Sequence, residues 1–497
     1  MSQNILINVG AAETRVAVVE DGRLQHLSCT PTLGGSHNGR SRIGEIYLGR
    51  VSKVVPAIQS AFVDIGHSKA GFLGAREAQA LARDAAATDE TRTISDLVRE
   101  GDAVLVQISK DSIGDKGPRL TASVALPGRL LVLTPQRAGI GISHRITEEA
   151  ERKRLENLGK QAVENATAEG ETPCGAILRT SAYGSTYKSL HEEVKVLLAT
   201  WQDVLQAMHN SRAPKLLLRD CDPVEKALRD LPNDDTEHII IDDRKAVEDA
   251  RHLCRQFLPK WESRIELFGG PEALFDAYDL EEDIATLTHR RVKLPSGGWI
   301  MIETTEALTS IDINSGHYTD GNTLETNSLN VNLEAAAEIG RQVRLRGIGG
   351  VIVIDFIHMT KAGHMDQVIE TLSASLQRDG NPVVIAPPSP FGLVEVTRKR
   401  VRDPYEKRNG EPCPCCHGNG RQRRPDAVAQ DVIRRIEATA RAAPGHPITV
   451  TAAPDVVAWL KNQPDLSGAL AIKGAANVKF QALSGNNREE FDVETTH

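Results

Sequence analysis

The segment from residue 298 to residue 357 constrains the fold more than any other part of the sequence. It contains GWIMIETTEALTSIDINSG, a helix-like stretch at 330–346, and then GGVIVIDFIHM. Apolar residues alternate on both sides of a polar turn at 304–306, which predicts two antiparallel strands. The spacing of apolar residues at 333–343 predicts a helix, and the last apolar run predicts a strand buried on both faces. The segment therefore predicts a ββαβ unit.

Two aspartates, Asp312 and Asp355, interrupt the apolar strands of this unit. A buried carboxylate is costly unless a cation balances it, so each aspartate requires either an arginine or a shared metal ion. The helix between them carries Arg341, Arg344 and Arg346. Carboxylates on neighbouring strands would form the partial oxygen shell that Mg²⁺ prefers, and Asn314 would point to the same side as Asp312 and could orient a water. These residues alone leave both alternatives open.

The length of 497 residues predicts several domains, because one hydrophobic core rarely serves so long a chain. Five short segments rich in Val and Ile at 41–125 predict a small closed barrel such as an OB-fold. Phe62 and Phe72 of this region either pack in the barrel core or stack on unpaired bases. Residues 126–222 predict an α+β unit with a glycine-rich loop at 137–145. The segments KLLLRD and HIIIDD predict a further α/β element that can pair with the N-terminal strand, which would make the barrel an insertion.

The formal net charge of −8 excludes a general positive field, so any binding of nucleic acid must depend on local patches. One candidate is the segment 397–424, which has nine basic and three acidic residues and is either a binding patch or a solvated linker. No apolar run approaches the ~18 residues of a membrane-spanning helix, and the N-terminus lacks the pattern of a signal peptide. Seven cysteines, an odd number spread too widely for a disulfide framework, predict a protein of the reducing cytoplasm.

Three of these cysteines occur together in EPCPCCHGNG at 411–420. A structural zinc site normally has four ligands, and one C-x-x-C pair supplies two of them. Half a site is therefore present, with Cys413 and Cys416 as the pair and with Cys415 and His417 as local alternatives.

Several of these segments, in this order, resemble the ribonuclease E/G family. SIDINSG, GGVIVIDFIHMT, FGLVEVTRKR and CPCCHGNG are similar to its catalytic half, IYLGRVSKVVPAIQSAFVDIGHSKAGFL to its barrel, and AILRTSA to its phosphate-sensing segment. The resemblance covers nearly the whole chain. It implies an endoribonuclease that cleaves single-stranded RNA with a Mg²⁺-activated water, leaves a 5′-phosphate and a 3′-hydroxyl, prefers 5′-monophosphorylated RNA, and acts in rRNA processing and mRNA decay. The alternative is a non-catalytic RNA-binding factor of ribosome assembly, which would not need both aspartates.

The resemblance also implies roles for individual residues. Asp312 and Asp355 would hold Mg²⁺, and Asn314 would position the attacking water. The residues that would clamp single-stranded RNA are Phe62, Phe72 and Lys116. The residues that would form the 5′-phosphate pocket are Gly128, Val132, Arg179 and Thr180. Cys413 and Cys416 fit the family motif C-P-x-C-x-G, and the same pair from a second protomer would complete a Zn²⁺ site, which implies a homo-oligomer, either a dimer or a tetramer.

The implied architecture is multidomain, α/β plus all-β. Its parts are a ribonuclease-H-like subdomain (1–40 and 223–287), an inserted OB-fold barrel (41–125), a 5′-sensor α+β domain (126–222), a deoxyribonuclease-I-like catalytic domain (288–405), a zinc link (406–424) and a small C-terminal oligomerisation domain (425–497).

Overall fold

The computed structural model describes residues 2–32, 41–82, 92–112, 116–167, 174–316, 323–416, 418, 420–475, 477–483 and 487–495. The chain divides into two compact units, Met1–Arg408 and Asn409–His497.

The first unit begins with three antiparallel strands. They are β1 (Gln3–Val9), β2 (Glu13–Glu20) and β3 (Arg23–Pro31). Ile5, Leu6 and Ile7 of β1 are all fully buried, so both faces of this strand are covered. Such a continuous apolar run is typical of a strand in the middle of a sheet with a layer on each side.

The next region forms the predicted barrel. Its elements are β4 (Ile46–Val55), β5 (Ser60–Asp64), β6 (Gly71–Gly74), α1 (Ile94–Leu97), β7 (Ala103–Lys110) and β8 (Arg119–Thr121). The strands follow the order β4-β5-β6-β8-β7, and β7 pairs again with β4, which closes a five-stranded barrel. Gly71 is required for this closure, because a Cβ atom there would lie 2.4 Å from the Leu120 side chain.

An α+β region follows, as predicted. It contains β9 (Leu126–Pro127), β10 (Leu131–Thr134), β11 (Gly139–Ile142), α2 (Glu149–Ala166), β12 (Gly175–Leu178) and α3 (Tyr187–His209). The sheet order is β11-β12-β10-β9. The prediction of a loop at 137–145 is wrong for 139–142, which form a strand parallel to β12. Close backbone approach explains Gly175 of β12, since a Cβ atom there would lie 2.3 Å from the Gly139 carbonyl oxygen.

The chain then returns to the first sheet. The elements are β13 (Lys215–Leu218), α4 (Pro223–Asp230), β14 (Thr236–Ile241), α5 (Arg244–Phe257), α6 (Pro259–Glu262) and β15 (Ile265–Leu267). Strand β14 lies parallel to β1, which confirms the predicted pairing of HIIIDD with the N-terminal strand. The sheet order β15-β14-β1-β2-β3 therefore joins segments on either side of the barrel in sequence. Strand β13 instead pairs with β4 of the barrel.

The last part of the first unit is a second large sheet. Its elements are α7 (Leu280–Ala285), β16 (Arg291–Lys293), β17 (Trp299–Thr304), β18 (Leu308–Asn314), α8 (Leu324–Arg346), β19 (Gly350–Asp355), α9 (His364–Gln377), β20 (Val383–Ile385), β21 (Val394–Arg398) and α10 (Tyr405–Asn409). The strand order is β16-β17-β18-β19-β21-β20. Helix α8 connects β18 to its parallel neighbour β19, which confirms the ββαβ prediction.

Helix α8 begins six residues earlier than predicted, because Thr323 caps its first turn by accepting a hydrogen bond from the Thr326 amide at 3.2 Å. The helix ends at Gly347, whose φ of +66° favours glycine. Helices α8 and α9 pack together against the buried residues of the sheet, including Ile311, Ile352 and Val394.

The second unit is a small α/β domain. Its elements are α11 (Pro425–Ala442), β22 (Ile448–Ala452), α12 (Pro454–Lys461), α13 (Leu466–Ile472), β23 (Val478–Ala482) and β24 (Phe491–Thr495). Strand β22 lies between a parallel β23 and an antiparallel β24. In the described part of both units, no helix has the length and apolar character needed to cross a membrane.

Candidate functional site

Two carboxylates lie side by side at the carboxyl ends of two central strands of the second large sheet. Asp312 and Asp355 occupy equivalent register positions on the parallel strands β18 and β19. Neighbouring strands are about 4.8 Å apart, so the two side chains project from adjacent points of the sheet. Asn314 lies on the same side, and its Nδ2 donates a hydrogen bond to Asp312 Oδ2 at 2.8 Å. The structure thus brings together the three residues predicted to be catalytic.

The prediction that these aspartates are buried is wrong. Both side chains are exposed, and Val351 on the same face is 42% exposed. The physical reason is that α8 and α9 both cover the opposite face, where Ile311, Ile313 and Ile354 are buried. The carboxylates therefore do not carry the desolvation cost on which the sequence argument depended.

The alternative that arginines of α8 neutralise the two aspartates is also wrong. Arg341 pairs with Glu338 at 2.8 Å, Arg344 donates to the Ser375 carbonyl, and Arg346 donates to Gln342 at 2.7 Å. Within the described residues, no lysine or arginine forms an ion pair with Asp312 or Asp355. Two exposed carboxylates without a basic partner fit a hard cation such as Mg²⁺, which keeps several waters and needs few protein ligands.

Glu325, in the first turn of α8, forms hydrogen bonds with the segment 360–364, which follows Asp355. Its carboxylate accepts hydrogen bonds from the amides of Thr360 at 3.0 Å and Lys361 at 2.9 Å, and from His364 Nδ1 at 3.0 Å. These amide hydrogen bonds lower the pKa of Glu325 to about 2. No motif in the sequence identified Glu325 as a functional residue. The only local signal was an acidic residue at a helix N-terminus, which is common for helix-dipole reasons alone.

The barrel residues predicted to bind RNA lie on its outer surface. Phe62 and Phe72 are directly opposite each other on β5 and β6, with ring centroids 6.1 Å apart in an edge-to-face arrangement. Both are half-buried and neither belongs to the cluster of buried residues inside the barrel, so the core-packing alternative is wrong. Lys116 is exposed. The Arg119 guanidinium lies 5.8 Å from the Phe72 ring, beside a depression of about 330 Å³.

The four residues predicted for the 5′-phosphate pocket lie around the adjoining ends of β10 and β12. Val132 of β10 pairs with Ile177, two residues before Arg179. The Gly128 amide donates to the Leu131 carbonyl at 2.8 Å, which forms a tight turn ahead of β10. Thr180 Oγ1 lies 3.0 Å from Ser143 Oγ at the end of β11. The pocket residues are thus positioned by strands rather than by a long loop.

Two carboxylates that the sequence argument missed occupy this region. Arg179 donates to Asp230 Oδ1 at 2.6 Å, and Arg229 holds the same carboxylate through two hydrogen bonds at 3.1 and 2.7 Å. Glu193 accepts hydrogen bonds from the backbone amides of Arg129 and Leu130, the two residues after Gly128. Burial raises the pKa of Glu193 although these amides oppose the shift. No sequence signal linked Asp230 or Glu193 to Arg179, because neither is close to it along the chain.

The basic run at 397–424 is only partly engaged within the protein. Arg398 is buried and pairs with Asp379 at 2.6 Å, and Arg400 donates to the Gly349 carbonyl at 2.9 Å. In the second unit, Arg423 pairs with Asp431 at 2.7 Å. Lys399 remains exposed. Arg398 and Arg400 are therefore structural residues of the first unit, whereas most described residues of 406–424 are exposed, as the solvated-linker alternative predicts.

The cysteine cluster lies at the start of the second unit. Cys413 and Cys415 are exposed and Cys416 is half-buried, whereas His417 lies outside the described residues. Hydrogen bonds from the backbone amides of Cys415 and Cys416 lower the pKa of the Cys413 thiol. Stabilising the thiolate favours metal binding, because the thiolate is the ligand. In the part of the chain that is described, no three His, Cys, Asp or Glu side chains converge on one metal position. Zinc at this cluster would require ligands beyond those that the described residues bring together.

Two family models match this chain. The family model described as "Ribonuclease E/G family" matches residues 125–401, and the model described as "RNase E/G, Thioredoxin-like domain" matches residues 412–465. The chain belongs to the ribonuclease E/G family, as its motifs predicted.

Full-length relatives within this family carry the name ribonuclease G. Ribonuclease G of Salmonella typhimurium (strain SL1344) is 36% identical over 500 residues, and the match covers 99% of each chain. Ribonuclease G of Escherichia coli (strain K12) is 35% identical over 498 residues, again covering 99% of each chain. Ribonuclease E of Haemophilus influenzae is 36% identical over 442 residues, which cover 88% of this chain and 46% of that protein. The similarity to the proteins named ribonuclease G thus extends over the whole chain.

Proposed function

We propose that the protein is an endoribonuclease that hydrolyses single-stranded RNA at the site formed by Asp312 and Asp355. The products have a 5′-phosphate and a 3′-hydroxyl. The observation that carries this proposal is the pair of exposed carboxylates in register on β18 and β19, with no basic partner among the described residues. A protein that only binds RNA has no use for two such negative charges, which would repel the phosphodiester backbone. The full-length similarity to relatives named ribonuclease G supports the same function.

Each of the three residues has a distinct role in this proposal. Asp312 and Asp355 hold Mg²⁺, which when bound neutralises charge on the scissile phosphate and lowers the pKa of the attacking water. Asn314 donates its Nδ2 hydrogen to Asp312, so its amide oxygen is the atom that can accept a hydrogen bond from the water. Asp312 in turn fixes the orientation of that amide. A water bound to Asn314 would be positioned for attack rather than encountered by diffusion.

The barrel supplies the binding surface for the RNA strand. Phe62 and Phe72 present neighbouring half-buried rings on which unpaired bases can stack, and Lys116 and Arg119 add positive charge for the backbone. Stacking on ring faces requires unpaired bases, so this surface favours single-stranded RNA over a duplex.

The pocket around Arg179 gives the enzyme a preference for RNA with a 5′-monophosphate. Arg179 reaches Asp230 through one terminal nitrogen, and a phosphate can engage the remaining donors of the guanidinium or replace the carboxylate. Asp230 stays neutralised in either case because Arg229 holds it independently. Thr180 adds a hydroxyl, and Gly128 and Val132 complete the pocket.

Cys413 and Cys416 bind one Zn²⁺ together with the same pair of a second protomer, so the protein is a homo-oligomer. The lowered pKa of Cys413 supports a metal-binding thiolate at this position. The cellular role that fits this activity is rRNA processing and mRNA decay in the cytoplasm.

The decisive experiment follows cleavage of a labelled single-stranded RNA with and without Mg²⁺. Asp312→Asn and Asp355→Asn should abolish cleavage and leave RNA binding, measured by fluorescence anisotropy, nearly unchanged. Ser310→Ala is the matched control, because Ser310 precedes Asp312 by two residues on the same face of β18. Cleavage without any divalent ion, or wild-type turnover in either aspartate variant, would contradict the proposal. Binding without cleavage by the wild type would favour the RNA-binding factor.

A further inference from the structure

One large aromatic side chain projects into solvent close to the two carboxylates. Phe391 is 88% exposed, in a chain with only nine phenylalanines. Large aromatic side chains normally bury most of their surface, so an isolated ring in solvent calls for an explanation. Phe391 also belongs to the segment FGLVEVTRKR, and neither the metal site nor the barrel accounts for it.

The turn that carries Phe391 is well defined by its own hydrogen bonds. The Gly392 amide donates to the Ser389 carbonyl at 2.9 Å, and the Ser389 amide donates to the Leu393 carbonyl at 2.8 Å. Ser389 Oγ also accepts a hydrogen bond from the Leu393 amide at 3.2 Å. Pro390 restricts the second turn position, and Gly392 has a φ of +83°. A hydrogen-bonded turn between β20 and β21 therefore holds the Phe391 ring in solvent.

The register of the sheet places this turn beside Asp355. Ile354 of β19 pairs with Val394 of β21, so the turn that precedes β21 lies beside the end of β19 that carries Asp355. Phe391 belongs to this turn. Neighbouring strands are about 4.8 Å apart, so the turn and Asp355 lie at the same end of the sheet. A nucleotide whose phosphate is at the carboxylates can place its base over such a ring.

We propose that Phe391 is a stacking platform for one unpaired base of the nucleotides that flank the cleaved phosphate, and that it thereby positions the strand in the site. The proposal rests on the proposed nuclease function. Every base has a π face, so the platform would accept any base but would require that base to be unpaired. Phe391 is thus a positioning residue that contributes to the choice of the cleaved bond.

The first test compares three variants on an RNA with one cleavage site. Phe391→Ala should lower kcat/KM roughly 5- to 100-fold, the range expected for loss of one base–aromatic stack. It should also spread cleavage to neighbouring phosphates. Phe391→Trp should restore both properties. Val384→Ala is the matched control, because Val384 is 65% exposed on the same hairpin, and it should leave kcat/KM unchanged. Thermal unfolding should be the same for all four proteins.

The second test identifies the base. Abasic nucleotides are placed one at a time on either side of the cleaved phosphate. In the wild type one position should lower kcat/KM, and in Phe391→Ala the same abasic position should have no further effect. If the two losses simply multiply at every position, or if Phe391→Ala changes only the oligomeric state seen by light scattering, the platform assignment is wrong.

A binding experiment distinguishes failure of the nuclease proposal from failure of the stacking proposal. It measures how tightly Asp312→Asn, with and without Phe391→Ala, binds the same oligonucleotides in Mg²⁺. Loss of coupling between Phe391 and the abasic position there would overturn the stacking proposal whatever the activity of the wild type. Absence of cleavage by the wild type with that coupling retained would overturn the nuclease proposal alone.

Discussion

Replacing Arg179 with glutamine should remove the preference for 5′-monophosphorylated RNA without unfolding the protein. Glutamine still offers a hydrogen-bonding amide, but it lacks the positive charge that would face the phosphate. Among the described residues, this charge forms an ion pair with one carboxylate, Asp230, at 2.6 Å.

The two expected magnitudes differ enough to be measured separately. A hydrogen bond between charged groups contributes about 1.5–3 kcal/mol, so the preference should fall roughly tenfold to a hundredfold. The cost to folding should be smaller. Arg179 and Asp230 side chains are 31% and 29% exposed, and partly exposed ion pairs contribute about 1 kcal/mol or less. Arg229 also continues to neutralise Asp230 in the variant.

The assay compares initial cleavage rates for one RNA with a 5′-monophosphate, a 5′-triphosphate or a 5′-hydroxyl. Wild type should cleave the monophosphorylated form fastest, because a bulkier triphosphate should fit the proposed one-phosphate pocket poorly, and Arg179→Gln should cleave all three at the slower rate. Arg154→Gln is the matched control, since Arg154 of α2 also pairs with a carboxylate, Glu151, at 2.6 Å. It should retain the preference. Equal slowing of all three substrates in Arg179→Gln, or a large drop in its unfolding temperature, would show that Arg179 supports the fold and does not sense the phosphate.

Three further predictions concern the metal link and stability. Cys416→Ser should release zinc and shift the protein toward monomer, as measured by metal analysis with light scattering; one zinc per monomeric wild-type chain would contradict the shared site with Cys413. Asp379→Ala should destabilise the protein by about 3–5 kcal/mol in urea unfolding, because it leaves Arg398 charged, buried and unpaired; a loss below about 1 kcal/mol would show that the pair is unimportant. Glu325 has its pKa lowered from 4.5 to about 2, so its stabilising contribution is complete above pH 4.5 and is lost as the pH falls toward 2. Glu325→Gln should therefore unfold at a lower temperature than wild type by a constant amount between pH 5 and 8, and the two curves should converge in acid; a difference that grew in acid would contradict this sign.

The periodicity of the sequence was sufficient to predict the main elements. Alternation around 304–306 indicated β17 and β18, and the run containing Asp355 indicated β19. Five short segments at 41–125 indicated the barrel that closes through β4 and β7. These predictions succeeded because strand and helix periods are local properties, which a stretch of about ten residues displays by itself.

The same periodicity was insufficient to decide which face of a sheet is covered. An apolar run such as VIVID is compatible with burial on both faces, but in the protein Val351 is 42% exposed and Asp355 is exposed. Coverage depends on where the following helices pack, and both α8 and α9 pack on the same side. Likewise, the glycine-rich stretch at 139–142 becomes a strand only because β12 lies beside it.

The sequence by itself determined the family and the order of the elements, and it supplied the residues proposed to bind metal or phosphate, because these depend on motifs and on short-range spacing. Only the tertiary structure decided the partners of those residues. Arg179 contacts Asp230, which is 51 positions away. Arg398 contacts Asp379 in the loop before β20, and Asp312 lies beside Asp355 although a helix separates their strands in sequence. The reason is physical: an ion pair or a shared face is fixed by distances of a few ångströms in space, and separation along the chain does not set those distances until the strands have paired.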